Sequence, residues 1–170
     1  MPVHDDKFRT IASSLAGGVT IVTASDSSGA PRGLTSSAVC SVSADPPAML
    51  VCIDQNSNTL AAIRQAGAFA INVLAAGREQ LALRFASKAP DKFSDVAWIP
   101  SRAANGVPVL VDDAIACAEC LVMDEIRAGD HWIFLGSVED GFARDDVPLL
   151  YCRRTFAAWP QAAAIAGSDA

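Results

Sequence analysis

Apolar and β-branched residues fall in short runs separated by polar turns along most of the chain, a pattern typical of strands. Two of these runs flank "RAGD" (127–130) and predict a hairpin. "DPP" (45–47) interrupts another run, because proline removes a donor from a sheet ladder. The predicted strands are "VTIVTAS" (19–25), the stretch from Gly33 to "DPP", "AMLVCID" (48–54), "FAINVL" (69–74), "AIACAECLVMDEI" (114–126), "HWIFLGSVEDGF" (131–142) and "PLLYCRRTFAAW" (148–159).

Three segments carry helical signals instead. Residues 5–15 place Phe8, Ile11 and Leu15 on one face, and we expect Asp5 or Asp6 to cap this helix. Residues 56–67 begin with capping side chains and end at glycine, which predicts a short helix. Residues 77–86 form the third candidate.

The order of these elements favours one fold class. At least six strands and two or three short helices show no regular βαβ alternation, so we expect a mainly β protein, an antiparallel barrel with helices at its ends. A length of 170 residues fits one domain. We expect residues 1–160 to form that domain and residues 161–170 to be a flexible tail, or one docked on a partner subunit.

Composition and charge narrow the function classes. Hydrophobic residues make up 51% of the chain and charged residues 19%, which indicates a compact globular domain and suggests apolar area between subunits. The net charge of −6 and the lack of a basic patch disfavour a nucleic acid or an anionic membrane as partner. Because the N-terminus lacks the apolar core of a signal peptide, we expect a cytoplasmic protein.

The cysteines and histidines give little support to a metal site or a hydrolase. Cys117 and Cys120 have metal-like spacing, but residues three apart on a strand face opposite sides. His4 and His131 are the two histidines, so we expect no metal. A Ser/His/Asp hydrolase with Asp130 or Asp140 orienting His131 is conceivable, but no nucleophile is marked and no "GxSxG" occurs. Neither "GxGxxG" nor "GxxxxGK[ST]" is present.

Hydroxyl side chains are concentrated in one strand and predict a ligand site. Serine is a poor strand former, yet Thr35, Ser36, Ser37, Ser41 and Ser43 lie within nine positions. Hydroxyl and backbone N–H groups can donate hydrogen bonds to a phosphate or to the carbonyl edge of a planar ring.

A second polar group supports the same interpretation. Ser57, Asn58 and Thr59 stand at a predicted helix N-terminus, where anions are favoured. Lys88 and Lys92 offer positive charge for a phosphate. Together the two polar groups indicate a site for an elongated phosphorylated cofactor.

Several segments, in this order and spacing, resemble the short-chain flavin reductases, the reductase components of two-component flavin-dependent monooxygenases. The resemblance runs over about residues 8 to 156. It implies a Greek-key split β-barrel, usually a homodimer, that passes a hydride from NADH or NADPH to FMN or FAD and supplies the reduced flavin to an oxygenase. The segments are "GGVTIVTA" (17–24), "GLTSSAVCSVSADPP" (33–47), "CIDQNSNT" (52–59), "FAINVLA…LALRFA…KF" (69–93), "GDHWIFLGSVED" (129–140) and "PLLYCRR" (148–154).

The resemblance also assigns roles to residues. His131 would lie over the nicotinamide, and Tyr151 with its neighbours, Arg154 among them, would border that region. Ser41 belongs to the same motif, and in this scheme it either contacts the ring or only supports the motif. The flavin ring would lie along Gly33, Leu34, Thr35, Ser36 and Ser37; its ribityl phosphate would be held by Cys52, Ile53, Asp54, Gln55, Ser57, Asn58 and Thr59; and its far part would be closed by Phe85, Ala86, Lys92 and Phe93.

One departure from the family pattern and two other activities remain open. Arg154 stands where the family usually has glycine, in "YCRRTF" (151–156), which puts the local backbone and the choice of nicotinamide nucleotide in question. A non-catalytic flavin carrier on the same barrel would bind flavin tightly without oxidising NADH or NADPH. A flavin-dependent oxidase or oxygenase of the same barrel would retain its flavin and consume oxygen only with its substrate.

Overall fold

A computed structural model describes residues 3–159, and in this part of the chain twelve β-strands outnumber three α-helices. The helices are α1 Asp5–Ser13, α2 Asn58–Ala66 and α3 Glu79–Ala86. The strands are β1 Gly17–Gly18, β2 Thr20–Ser25, β3 Pro31–Ser36, β4 Val39–Ala44, β5 Pro47–Asp54, β6 Ala68–Leu74, β7 Ile99–Pro100, β8 Pro108–Val109, β9 Ala114–Ala128, β10 His131–Ala143, β11 Leu149–Cys152 and β12 Thr155–Ala158.

Seven strands form one antiparallel sheet in the order β3-β2-β6-β9-β10-β5-β4. The two edge strands, β3 and β4, are joined by Ser37 and Ala38 alone. Along this continuous stretch of chain, β3 pairs with β2 and β4 pairs with β5, so the sheet curves back on itself. In the two-residue joint between β3 and β4, the Ala38 carbonyl accepts a hydrogen bond from the Cys52 N–H at 3.0 Å. The predicted antiparallel, mainly β fold is confirmed.

The core lies on both faces of this sheet. The largest cluster packs Phe69, Phe134 and Ile53 from the strands against Leu60 and Ile63 of α2. Burying a side chain such as Phe69 contributes roughly 1.5–3 kcal/mol. Two further clusters cover the outer face, one under α3 and one under the segment 101–111. Because both faces are covered, β2 is buried along nearly its whole length.

Helix α2 forms as the sequence predicts, whereas α1 differs in two ways. Ser57 caps α2 by accepting the Thr59 N–H at 3.2 Å, and Gly67 ends it with φ +62°. The expected cap of α1 by Asp5 or Asp6 is wrong, since both lie inside the helix and follow the N-cap residue His4. No residue of α1 is buried, so its apolar face does not pack on this chain's core.

The predicted last strand over 148–159 is wrong as a single element. It is a hairpin of β11 and β12 joined by Arg153 and Arg154, which have φ +48° and +64°. Two positive φ values in a two-residue loop identify a type I′ turn, for which asparagine and glycine are the usual residues. Two arginines therefore gave no turn signal in the sequence.

The two cysteines with metal-like spacing diverge as predicted. Cys117 packs in the cluster under the segment 101–111, and Cys120 packs in the largest cluster. Burial raises the pKa of both thiols, that of Cys120 to about 12. The helices in residues 3–159 are all too short or too polar to cross a membrane. The expected tail over 161–170 lies outside the described residues.

Candidate active site

The C-terminal end of β5 brings together three of the sequence-predicted segments. On one side of it, the Cys52 N–H donates to the carbonyl of Ala38, directly after the hydroxyl-rich strand. On the other side, His131 of β10 is the pairing partner of Asp54. The Gln55 N–H donates to the Asp130 carbonyl at 2.9 Å, which ties the β9–β10 turn to the same place. Segments nearly 100 residues apart in sequence thus meet at one strand end.

Most of the clustered hydroxyls bond to the protein's own backbone. Thr35 Oγ1 donates to the Ala82 carbonyl of α3 at 2.6 Å. Ser36 Oγ accepts the Ala38 N–H at 3.0 Å, and this serine is buried. Ser57 Oγ is engaged in capping α2. These hydroxyls shape the backbone of the site, and fewer of them are left for a ligand than the sequence predicts.

The donors still exposed lie at the two ends of the site. Ser37 is exposed in the joint between β3 and β4, Ser41 is exposed in β4, and Asn58 is exposed in the first turn of α2. In contrast, Ile53 and Thr59 are buried, so their side chains belong to the core. Leu34 and Cys52 are half-buried, and burial raises the pKa of the Cys52 thiol.

Lys92 forms hydrogen bonds that link the site to α3. Its ammonium donates to the Phe85 carbonyl at 2.8 Å and to the Gly33 carbonyl at 3.2 Å. Burial lowers the pKa of this half-buried lysine. Phe85 is fully buried and meets Phe93 edge to face, with ring centroids 4.9 Å apart, while Ala86 is exposed. Lys92 therefore joins α3 to the strand that carries the predicted flavin motif.

His131 is directly paired with the residue before it. Its Nδ1 lies 2.8 Å from Asp130 Oδ1, and this hydrogen bond holds the pKa of the Asp130 carboxyl below its usual range. The two side chains thus meet although the residues are adjacent in the chain. The reason is the tight turn at Gly129, with φ +64°, which brings the two side chains side by side.

The arginines near the site are already paired. Arg32 binds Asp26 with its Nη2 2.8 Å from Oδ2, and Arg64 Nε lies 2.8 Å from Glu125 Oε2. Lys88 is exposed. A phosphate at the start of α2 would therefore meet hydroxyl, amide and helix N–H donors rather than a cluster of unpaired cations.

Two predicted residues lie on the hairpin of β11 and β12. Tyr151 pairs with Gly17, and a Cβ on Gly17 would lie 3.6 Å from the Cβ of Ser37, so the strand that pairs with Tyr151 lies beside the hydroxyl-rich segment. Arg154 instead lines a cleft of about 480 Å³ beside α1, which contains no other sequence-predicted site residue.

Sequence reasoning missed the contribution of two residues. Asp130 was considered only as a member of a hydrolase triad, although glycine followed by aspartate between two strands is a turn signal that places it beside His131. Ala38 was not selected, because its role is a backbone carbonyl bond to Cys52 that depends on how β4 and β5 pair.

Comparison with known proteins places the chain in one family. Residues 12–160 match the family model described as a flavin reductase like domain. The chain belongs to this family. A flavin reductase (NADH) of Kitasatospora aureofaciens is 48% identical over 160 residues, covering 93% of this chain and 83% of the relative. A flavin reductase (NADPH) of Lentzea aerocolonigenes is 40% identical, covering 89% of this chain and 88% of the relative.

A solved structure extends the likeness to the fold. The nitrilotriacetate monooxygenase component B from Mycobacterium thermoresistibile has a TM-score of 0.84 and 32% identity, covering 91% of this chain and 86% of that one. The resemblance stated from the sequence segments, to flavin reductases that use NADH or NADPH, is confirmed.

Proposed function

We propose that this chain transfers a hydride from NADH or NADPH to FMN or FAD and releases the reduced flavin to a partner flavin-dependent monooxygenase. The observation that carries the proposal is the end of β5, where the hydroxyl-rich segment, the start of α2 and His131 meet. The named relatives support it, since they are flavin reductases and a component of a monooxygenase.

The residues present fit a flavin. The exposed Ser37 and the backbone around it offer neutral donors to the ring edge, and Asn58 lies at a helix N-terminus suited to the phosphate. The bound flavin and nicotinamide supply the redox chemistry. What this chain's residues do is orient both molecules, donate hydrogen bonds to the flavin's carbonyl edge and, through His131, hold the nicotinamide amide.

Release of the flavin fits the charges around the site. Arg32, Arg64 and Lys92 are engaged with Asp26, Glu125 and two backbone carbonyls. Charge-assisted bonds are about twice as strong as neutral ones, so a cradle of neutral donors binds a phosphate less tightly. Such a cradle suits a flavin that enters and leaves as a substrate.

We also propose that the chain is a homodimer. Phe8 and Ile11 of α1, and Leu15 just beyond its end, are exposed at 60%, 55% and 77% of their full areas. A second copy would cover this face and lower its exposure to water.

The experiment that tests the activity follows NADH and NADPH oxidation at 340 nm, with and without added FMN or FAD. We expect oxidation that saturates with free flavin. Flavin binding without oxidation of either nucleotide would contradict the proposal and favour the flavin carrier. Oxidation that requires a further organic substrate and a flavin that stays bound would favour the oxidase.

A pair of histidine variants tests the site. His131→Ala should raise the KM for the nicotinamide nucleotide or lower kcat, and leave the flavin Kd unchanged. His4→Ala is the matched control, because His4 is exposed at the start of the chain and distant in sequence from the site segments. Equal kinetics for His131→Ala and wild type would remove His131 from the site.

A further inference from the structure

The turn between β9 and β10 holds Asp130 in a defined place. Gly129 and Asp130 are the two loop residues between the paired Ala128 and His131. Glycine with φ +64° at the first loop position indicates a type II′ turn. The Asp130 carbonyl also accepts the Gln55 N–H from the end of β5. The backbone of Asp130 is thus fixed from two directions, although its side chain is 79% exposed.

This backbone places the Asp130 carboxylate against one nitrogen of His131. The Oδ1–Nδ1 distance is 2.8 Å, and the carboxylate can only accept a hydrogen bond. In the neutral imidazole, Nδ1 must therefore carry the proton and Nε2 the lone pair. A histidine side chain free in water favours the opposite tautomer, with the proton on Nε2, so the arrangement selects the state that His131 would adopt less often by itself.

The other charged groups near His131 do not compete for Nδ1. Asp54 lies opposite His131 in the β5–β10 pairing, and its Oδ1 accepts the Asn56 N–H at 2.6 Å. From β9, Ala128 lies opposite His131, with Arg127 next to it in the strand. Within residues 3–159, the ion pair of the His131 ring is with Asp130.

We propose that Asp130 is the positioning residue of His131: it holds the ring in the Nδ1–H tautomer and so presents Nε2 as an acceptor for the carboxamide N–H of the nicotinamide. This role rests on the proposed reductase function. It assigns to Asp130 an effect on nucleotide binding through His131, without contact between the carboxylate and the nucleotide.

The tautomer can be measured without any ligand. The chain has two histidines, so ¹⁵N-detected NMR of His4→Ala protein reports on His131 alone. We expect the Nδ1–H tautomer in this background and a shift toward Nε2–H when Asp130→Ala is added. Asp130→Asn should keep the Nδ1–H tautomer in part, since its amide oxygen can still accept. An Nε2–H tautomer in the parent, or one unchanged by Asp130→Ala, would overturn the proposal.

Steady-state kinetics tests whether the Asp130–His131 pairing affects nucleotide binding. Asp130→Ala should raise the KM for NADH or NADPH roughly two- to fivefold, in line with exposed ion pairs, with kcat and the flavin Kd nearly unchanged. Asp130→Asn should recover part of the loss, which a general loosening of the turn would not allow. Asp124→Asn, an exposed acid on the same hairpin, is the matched control and should behave as wild type.

The two readouts separate the positioning role from the reductase function. Wild-type protein that shows the Nδ1–H tautomer but oxidises neither nucleotide would overturn the proposed function while upholding the Asp130–His131 pairing. An active wild type in which Asp130→Ala changes the tautomer but not the KM would overturn the link between the pairing and nucleotide binding.

Discussion

Phe85 packs so closely against Gly33 that a Cβ on Gly33 would lie 2.8 Å from the Cε1 of the ring. The Phe85 ring cannot easily move, because it is fully buried and packs edge to face against the Phe93 ring. The Val22 carbonyl would also be 3.2 Å from that Cβ. The glycine at the start of the predicted flavin motif is therefore required by packing against α3.

The Gly33→Ala variant should be destabilised by about 1–3 kcal/mol, the usual cost of an added methyl group in a packed core. Chemical denaturation measures the change in the free energy of unfolding. Gly18→Ala is the control, since a Cβ there meets nothing within 4 Å. If the two variants lose the same stability, the contact with Phe85 is not what requires glycine at position 33.

The turn before β3 makes stability depend on pH. Asp26 Oδ1 accepts hydrogen bonds from the Ser28 hydroxyl and the Ser28 and Ala30 N–H groups, and Oδ2 accepts from Arg32. These bonds lower the pKa of Asp26 from 3.8 to about 2, and the bond from the Ser28 hydroxyl has the largest effect. Since the folded pKa is the lower one, the stabilisation is complete above the unfolded pKa and disappears as pH falls through the folded pKa.

Asp26→Asn should therefore be less stable than wild type at pH 7. The difference should shrink below about pH 4 and vanish near pH 2, as measured by urea denaturation over this range. Asp145→Asn is the control, because Asp145 is exposed and makes no side-chain hydrogen bond or ion pair with residues 3–159. A deficit for Asp26→Asn that is constant from pH 7 to pH 2 would show that the carboxylate's charge is not its source.

The β11–β12 turn carries strain that glycine would remove. Arg154 has φ +64°, in the left-handed region where a residue with a Cβ is penalised. Arg154→Gly, which restores the residue usual in the resembling family, should stabilise the protein by about 0.5–1 kcal/mol. That gain corresponds to a rise in Tm of roughly 1–4 °C for a chain of this size, measurable by calorimetry.

Arg127→Gly is the control for this turn. Arg127 lies in β9, where glycine weakens a strand, so that variant should lose stability. An unchanged or lower Tm for Arg154→Gly would mean that the Arg154 side chain, in its cleft beside α1, stabilises the protein by more than its left-handed backbone conformation destabilises it.

The elements predicted correctly are those whose signals are local. Ser57 and Gly67 bracket α2 because capping depends on neighbouring residues alone. The β11–β12 turn was missed because Arg153 and Arg154 adopt a conformation that their side chains disfavour. A helix end or a turn can thus be predicted from the sequence only when it is formed by the residues that usually adopt its conformation.

The site could be predicted as a set of segments but not as an arrangement. His131 lies beside Asp54 only through the register of β5 and β10. Thr35 was expected to face a ligand, yet it donates to the carbonyl of Ala82, 47 residues away in the chain. A hydroxyl cluster in a sequence does not show which of its members the fold itself will engage.

The exposed apolar face formed by α1 and Leu15 allows a test of the proposed homodimer. Phe8 and Ile11 of α1 and Leu15 just after the helix are all exposed, so none of them packs in this chain's core. If a second copy covers this face, a charge at its centre must be desolvated in the dimer without a partner. Ile11→Asp should therefore shift the protein from dimer to monomer in sedimentation or light-scattering measurements. Arg9→Asp, a charge change at an exposed position that does not share a face with Ile11, should remain dimeric. A wild-type monomer, or an Ile11→Asp dimer as tight as the wild type, would exclude this face as the interface.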